Sequence, residues 1–172
     1  MSQAVNAAIE AQIGNEFHAS QTYLSMAGYF EAESLGGFAS WMREQSQEEI
    51  EHAMKLFNFL VDRGVAPKLP GLPEPAHGFS GALEVFEAAF AHEQKVTGQI
   101  HALYELALQE KDYQAQILLQ WFITEQLEEE SLTGGMVDRI RMVEGSRSAL
   151  LILDAELGNR GGGSTGAHSH AH

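Results

Sequence analysis

Apolar residues recur along this chain in steps of three and four, in four long runs. The first runs from about Gln3 to Ala32, with Ile9, Ile13, Tyr23, Ala27 and Phe30 on one stripe. The second, from about Phe38 to Asp62, carries Phe38, Met42, Leu56 and Phe59. The third starts at Ser80, expected to cap it, and reaches about Gln109 with Phe86, Phe90, Val96, Ile100, Leu103 and Ala107 in phase. The fourth, from about Tyr113 to Val143, carries Leu118, Trp121, Leu132 and Met136. Each pattern predicts a helix with one buried face, and about thirty residues at 1.5 Å rise make a rod of roughly 40 Å.

The breaks between runs set the topology. Ser34-Leu35-Gly36-Gly37 and Lys111-Asp112 are short, so the helices they join are antiparallel neighbours. Arg63-Gly64 supplies the cation and glycine expected at a helix C-terminus. Residues 65–79 hold all four prolines, Pro67, Pro70, Pro73 and Pro75, which exclude regular helix. A connection this long fits a crossover along the length of a bundle. The fold class is therefore all-α: a four-helix bundle with one long crossover. Ala149 to Leu153 form a short fifth C-terminal helix that packs on the bundle or on a neighbouring subunit. Gly134-Gly135 costs the fourth helix ~2 kcal/mol of propensity and marks a candidate kink. Residues 1–160 form one domain, and the Gly- and His-rich tail 161–172 is expected to be disordered, with His168, His170 and His172 at most weak metal ligands.

Polar residues interrupt each apolar stripe near its middle: Glu16 and Ser20, then Gln45, Glu49 and His52, then Glu93, then Glu125, Glu128 and Glu129. Glu49 and His52 lie one turn apart on one face. Burying carboxylates and an imidazole is costly without a partner, and a pair of metal ions is a partner that offsets the cost. Glu16, Glu49, Glu93 and Glu128 sit at similar depths along their helices, so antiparallel packing brings them to one level. Oxygen-rich ligands with one imidazole suit a hard, redox-active cation such as iron and suit copper poorly. Glu31, Glu33, Glu51 and Glu130 read as solvated faces, and His92 and His101 as surface residues. Trp121 reads as packing, and the scattered methionines as core filler. Tyr23 is either core with a satisfied hydroxyl or a hydrogen-bond partner of a ligand.

Composition narrows the class. The chain of 172 residues is 44% hydrophobic, ordinary for one globular domain. A net charge of −14 argues against nucleic acid and anionic membranes as partners, and suits a protein that handles cations. Absence of cysteine excludes disulfides, thiolate metal sites and thiol catalysis. With neither a signal-peptide pattern at Met1-Ser2-Gln3-Ala4 nor an apolar run of spanning length, a soluble cytoplasmic protein is expected.

From about residue 3 to residue 160 the chain resembles the non-haem bacterial ferritins. The resemblance rests on Glu16-Phe17-His18-Ala19-Ser20-Gln21-Thr22-Tyr23, on Glu48-Glu49-Ile50-Glu51-His52, on Phe90-Ala91-His92-Glu93-Gln94, and on Leu119 through Glu130. It implies a ferritin-like fold and a di-iron ferroxidase centre, with Glu16, Glu49 and His52 on one iron, Glu49 bridging, and Glu93 and Glu129 on the second. It also implies a third iron site of Glu48, Glu125, Glu128 and Glu129, with Gln126 adjacent and Tyr23 as an electron donor. Fe(II) would be oxidised by dioxygen or hydrogen peroxide and stored as ferric mineral in a 24-subunit shell. Where related centres repeat Glu-x-x-His, this chain reads Gln126-x-x-Glu129, which favours ferritin over bacterioferritin and makes the second iron site more oxygen-rich. Ile50 follows the bridging position where a haem-ligating Met would stand, so haem is not expected. Two alternatives remain: a ferritin-like oxidase acting on an organic substrate, and a non-catalytic helical bundle with buried glutamate networks.

Overall fold

A computed structural model describes residues 2–161. Its five helices are α1 (Gln3–Ala32), α2 (Gly36–Asp62), α3 (Ala82–Gln109), α4 (Tyr113–Met142) and α5 (Arg147–Gly161). Of the expected tail, Gly161 is the last residue of α5 and not part of a disordered segment, and residues 162–172, with His168, His170 and His172, lie outside the described residues. α1 packs mainly on α2, α3 on α4, and α5 on α2. Between α2 and α3 the proline-bearing segment runs without helix, as its ring constraints require. Among the described residues no helix is long and apolar enough to cross a membrane.

Two apolar clusters occupy opposite ends of the bundle. One gathers Tyr23, Phe30, Phe38, Trp41, Phe86, Met136 and Ile140, the other Ile9, Ile13, Leu56, Leu60, Ile100, Leu119 and Phe122. Every one of the four long helices passes through both. The residues in between are polar and buried: Glu16 and Ser20 on α1, Gln45, Glu49 and His52 on α2, Glu93 on α3, Gln126 and Glu129 on α4. The aromatic end is tight, with Phe30, Phe38 and Phe86 centroids 5.2–5.6 Å apart. Two dry clusters thus clamp a polar layer that neither could bury at no cost.

Helix ends show where local sequence suffices and where it does not. Ser2 accepts the Val5 N–H at 3.2 Å and caps α1, and Asp112 accepts the Ala115 N–H at 3.2 Å and caps α4. Ser80 works the other way round from the expectation. Gly81 holds the cap position of α3, and both the N–H and the hydroxyl of Ser80 donate to the Glu84 carboxylate in the first turn. Gly36 and Gly37 belong to α2 rather than to the loop. Leu35 at that N-terminus offers no polar side chain, and the cap arrives from α5: Asp154 Oδ1 accepts the Phe38 N–H at 2.8 Å.

This dock explains Gly37. A Cβ there would lie 1.7 Å from the Asp154 carbonyl oxygen, which only glycine avoids. Gly37→Ala is expected to push α5 off α2 and destabilise the chain by about 1–3 kcal/mol. Chemical denaturation checks this, and a midpoint unchanged from the parent chain refutes the close-approach account.

α4 runs through Gly134 and Gly135 without a break. Its buried face differs by one residue from the expected stripe: Leu119, Phe122, Gln126, Glu129, Thr133 and Met136 point inward, while Glu128 is exposed. Leu118 and Leu119 are adjacent, as are Trp121 and Phe122, so apolar spacing fits either register. The acidic run that follows has one apolar residue, Leu127, which lies on neither stripe and so does not choose between them.

Candidate metal centre

Four helices each bring a carboxylate to the middle layer. Glu16, Glu93 and Glu49 are 0–1% exposed and Glu129 is 4% exposed. Three groups have donor atoms within 4.8 Å of one another: Glu16, Glu49 and His52; Glu49, Glu93 and Glu129; and His52, Glu125 and Glu129. Glu49 belongs to the first two, so its carboxylate lies between two potential cation positions. His52 Nδ1 stands 3.4 Å from Glu49 Oε2 and 3.9 Å from Glu16 Oε2, with Nε2 3.9 Å from Glu125 Oε2.

The side chains around these donors hold them in place. Tyr23 donates its hydroxyl to Glu93 Oε1 at 2.5 Å, the ligand-side role left open by its place on the α1 stripe. Gln126 Nε2 donates to Glu93 Oε2 at 3.0 Å. On the opposite side Gln12 Nε2 donates to Glu16 Oε1 at 3.1 Å and Asn15 donates to Gln12 Oε1 at 3.1 Å. Gln12 escaped the sequence reading. Its spacing, one turn before Glu16, is the signal for it, and the structure leaves it only 3% exposed. Glu16 Oε2, Glu49 Oε1, His52 Nδ1 and Glu129 Oε2 are buried and find no hydrogen-bond partner among the described residues. Buried polar atoms left in this state call for an ion.

Electrostatics agree with the geometry. Burial raises the Glu16 carboxyl well above its usual range, with Glu49 adding repulsion. Glu49 is raised in the same way by burial, then by Glu93 and Glu129. Glu129 is pushed up by burial and by Glu93 and Glu48. Glu93 is raised by burial, although the Tyr23 and Gln126 hydrogen bonds favour its charged form. Without a cation the native layer therefore binds protons that the unfolded chain releases above the ordinary carboxylate value of 4.5. Stability of the metal-free protein is expected to fall as pH rises above 4.5 toward the Glu129 value of about 10, and to level off below 4.5. Divalent cations replace those protons and should flatten the slope. Calorimetric melting temperatures with and without a chelator check both, and a metal-free melting point that climbs with pH refutes the account.

Beside this layer opens a cavity of about 730 Å³. Glu48, Glu51, Glu125, Glu128 and Glu129 line it, with His52, Lys55 and Trp121. The exposed Glu128, absent from the buried layer, thus joins Glu48, Glu125 and Glu129 at this second concentration of carboxylates. Trp121 packs edge-on to His52 at 5.5 Å between centroids and carries Lys55 Nζ 3.9 Å from its ring centre. His92 is not the surface residue expected. It is half-buried, packs edge-on to Tyr23 at 6.2 Å, and burial with nearby His18 and Lys95 lowers its pKa to about 4.

Residues 6–143 match the family model for a ferritin-like domain. The chain belongs to the ferritin family. It is 39% identical over 160 residues to the bacterial non-heme ferritin of Bacteroides fragilis (strain 638R), spanning 93% of this chain and 99% of that one. To the bacterial non-heme ferritin of Staphylococcus aureus (strain USA300) it is 35% identical over 153 residues, spanning 89% and 92%. An open pore ferritin from Archaeoglobus fulgidus superposes with a TM-score of 0.90 at 42% identity, over 92% of this chain and 98% of that one. In ferritin terms, the polar layer clamped between two apolar clusters is the part of this chain whose Glu and His groups could hold metal.

Proposed function

We propose that this ferritin oxidises Fe(II) to Fe(III) at a di-iron centre within each subunit and stores the ferric product in a cage of twenty-four copies. The observation that carries the reading is Glu49, shared by two buried donor groups in which Glu16 Oε2, Glu49 Oε1, His52 Nδ1 and Glu129 Oε2 have no hydrogen-bond partner. In this reading iron is the substrate. Glu16, Glu49 and His52 hold one Fe(II), and Glu49, Glu93 and Glu129 hold the other. Each Fe(II) gives up one electron. Dioxygen takes both with two protons and leaves as hydrogen peroxide, or hydrogen peroxide takes both with two protons and leaves as two water molecules.

The chain's own residues prepare that transfer. Carboxylate oxygens favour the higher charge of Fe(III) and so pull the iron potential down. Gln12 holds Glu16 by one oxygen and leaves the other for metal, while Tyr23 and Gln126 each hold one oxygen of Glu93 and fix its orientation by lone pairs the metal does not need. Tyr23, bonded to Glu93, is placed to supply a further electron. The apolar clusters on either side keep bulk water from competing for the ligands. Glu48, Glu125, Glu128 and Glu129 form the third iron position, on the wall of the open cavity, where ferric product leaves. Five glutamates on that wall suit a cation and suit an organic substrate poorly, which favours storage over a substrate oxidase.

Residues 1–160 carry all of this, with 161–172 an appendage, and a reduced cytoplasm is the natural supplier of Fe(II). Exposed apolar side chains such as Tyr113, Ile117, Leu127 and Met142 give subunit association something to cover. Aerobic addition of Fe(II) to metal-free protein is expected to give a fast absorbance phase saturating at two iron per chain. Sedimentation is expected to find a particle of twenty-four chains of 18.8 kDa. A slow, unsaturable oxidation refutes the centre, and a monomer or dimer refutes the cage.

A further inference from the structure

One feature of the centre continues past the ligands to the outer face of α3 and α4. Gln126 Nε2 donates to Glu93 Oε2 at 3.0 Å and lies 3.3 Å from Thr97 Oγ1. Thr97 Oγ1 in turn lies 2.8 Å from Glu130 Oε2 and 3.0 Å from the Glu93 carbonyl oxygen. Glu130 lines a separate cavity of about 580 Å³ with Glu87, Phe90, Gly134 and Arg141. From its place in the acidic run Glu130 reads as a solvated residue, and no part of the oxidation above uses it.

The geometry points to Glu130 and Thr97 as positioning residues that lock the Gln126 amide so that it donates to Glu93 and holds that carboxylate ready for the second cation. A hydroxyl has one hydrogen and here faces two acceptors. A carboxylate can only accept, and a charge-assisted bond is the stronger, so Glu130 takes the Thr97 hydrogen. That turns a Thr97 lone pair toward Gln126. Both Nε2 hydrogens of Gln126 then have acceptors, Glu93 Oε2 for one, and for the other the Glu93 carbonyl oxygen at 3.2 Å shared with Thr97 Oγ1 at 3.3 Å. Reversing the amide would set its oxygen against a carboxylate oxygen and a hydroxyl lone pair. One orientation survives: the Glu93 carboxylate and carbonyl oxygens select it, and Thr97 with Glu130 holds it from outside the metal layer. Glu93 is thereby held at both oxygens, by Tyr23 on one and Gln126 on the other.

The inference rests on the two-cation reading above, and titration of metal-free protein with Co(II), followed by calorimetry and visible absorbance, separates the two. The parent chain is expected to bind Co(II) in two steps, Glu16, Glu49 and His52 filling first. Thr97→Val keeps the shape and removes the hydroxyl. It should weaken the second step about tenfold, as loss of a group that orients a ligand does, and leave the first unchanged. Glu130→Ala, altered on the outer face, should do the same, and Thr97→Ser should restore the parent affinity. Circular dichroism establishes that each variant is folded, and should Thr97→Val fail to fold, Glu130→Ala decides alone. An unchanged second step in the folded variants overturns the inference and leaves the di-iron reading standing. So does a parallel loss of both steps, which would mark general loosening. A parent chain that takes up no Co(II) overturns the di-iron reading and the inference with it.

Discussion

Replacing Glu49 with alanine is expected to abolish the fast phase of Fe(II) oxidation, slowing it at least about 100-fold, while the bundle stays folded. Each of the other donors serves one cation position of the pair, whereas Glu49 stands in both donor groups, so its loss opens the two together. Losing a residue that merely orients a ligand costs 10–100-fold in metal affinity or activity, and losing a shared ligand should exceed that. The fold should tolerate the change because the metal-free chain gains nothing from this carboxyl: burial and the neighbouring Glu93 oppose its charge. Glu49→Gln, which preserves shape, should fail in the same way and separates charge from packing. Stopped-flow absorbance after Fe(II) addition reads the result, and a surviving fast phase in either variant removes Glu49 from the centre.

The second large effect concerns stability. Arg63→Ala should cost about 3–5 kcal/mol, because it strands a buried carboxylate. Arg63 closes α2 and reaches Asp112 at the start of α4, Nη2 to Oδ2 at 2.6 Å, with each side chain only 4% exposed. The guanidinium also lies 4.8 Å over the Phe59 ring. One pair thus ties the end of one hairpin to the turn of the other. Burial alone would raise the Asp112 carboxyl, but the Arg63 hydrogen bond, the Ala115 N–H and the Arg63 charge hold it below its usual value of 3.8. Its contribution is therefore present above pH 3.8 and is lost as pH falls through the lower folded value. Denaturant midpoints of parent and variant should differ most near neutral pH and converge in acid. A constant gap across that range would mean that the loss is packing and not charge.

Much of this protein is legible in one dimension. The four stripes, the proline segment and the two short turns specify an antiparallel bundle with one crossover, because helical periodicity and backbone rigidity are local properties. The polar interruptions at Glu16, Glu49 with His52, and Glu93 are legible for the same reason: a charge on an apolar stripe is anomalous before any neighbour is known. On α4 this reasoning stops. With Glu125, Gln126, Glu128 and Glu129 consecutive or nearly so, and apolar residues adjacent in pairs before them, spacing cannot choose which carboxylate turns inward. Only the packed bundle turns Glu129 inward and leaves Glu128 exposed. Tertiary structure alone also decided that Asp154 caps α2 from a distant helix, that Gln12 and Gln126 restrain Glu16 and Glu93, and that His92 lies half-buried against Tyr23. Each of these joins residues far apart in the chain or depends on a helix's rotation about its axis. Sequence records which side chains are available, but only the packed helices determine which of them meet.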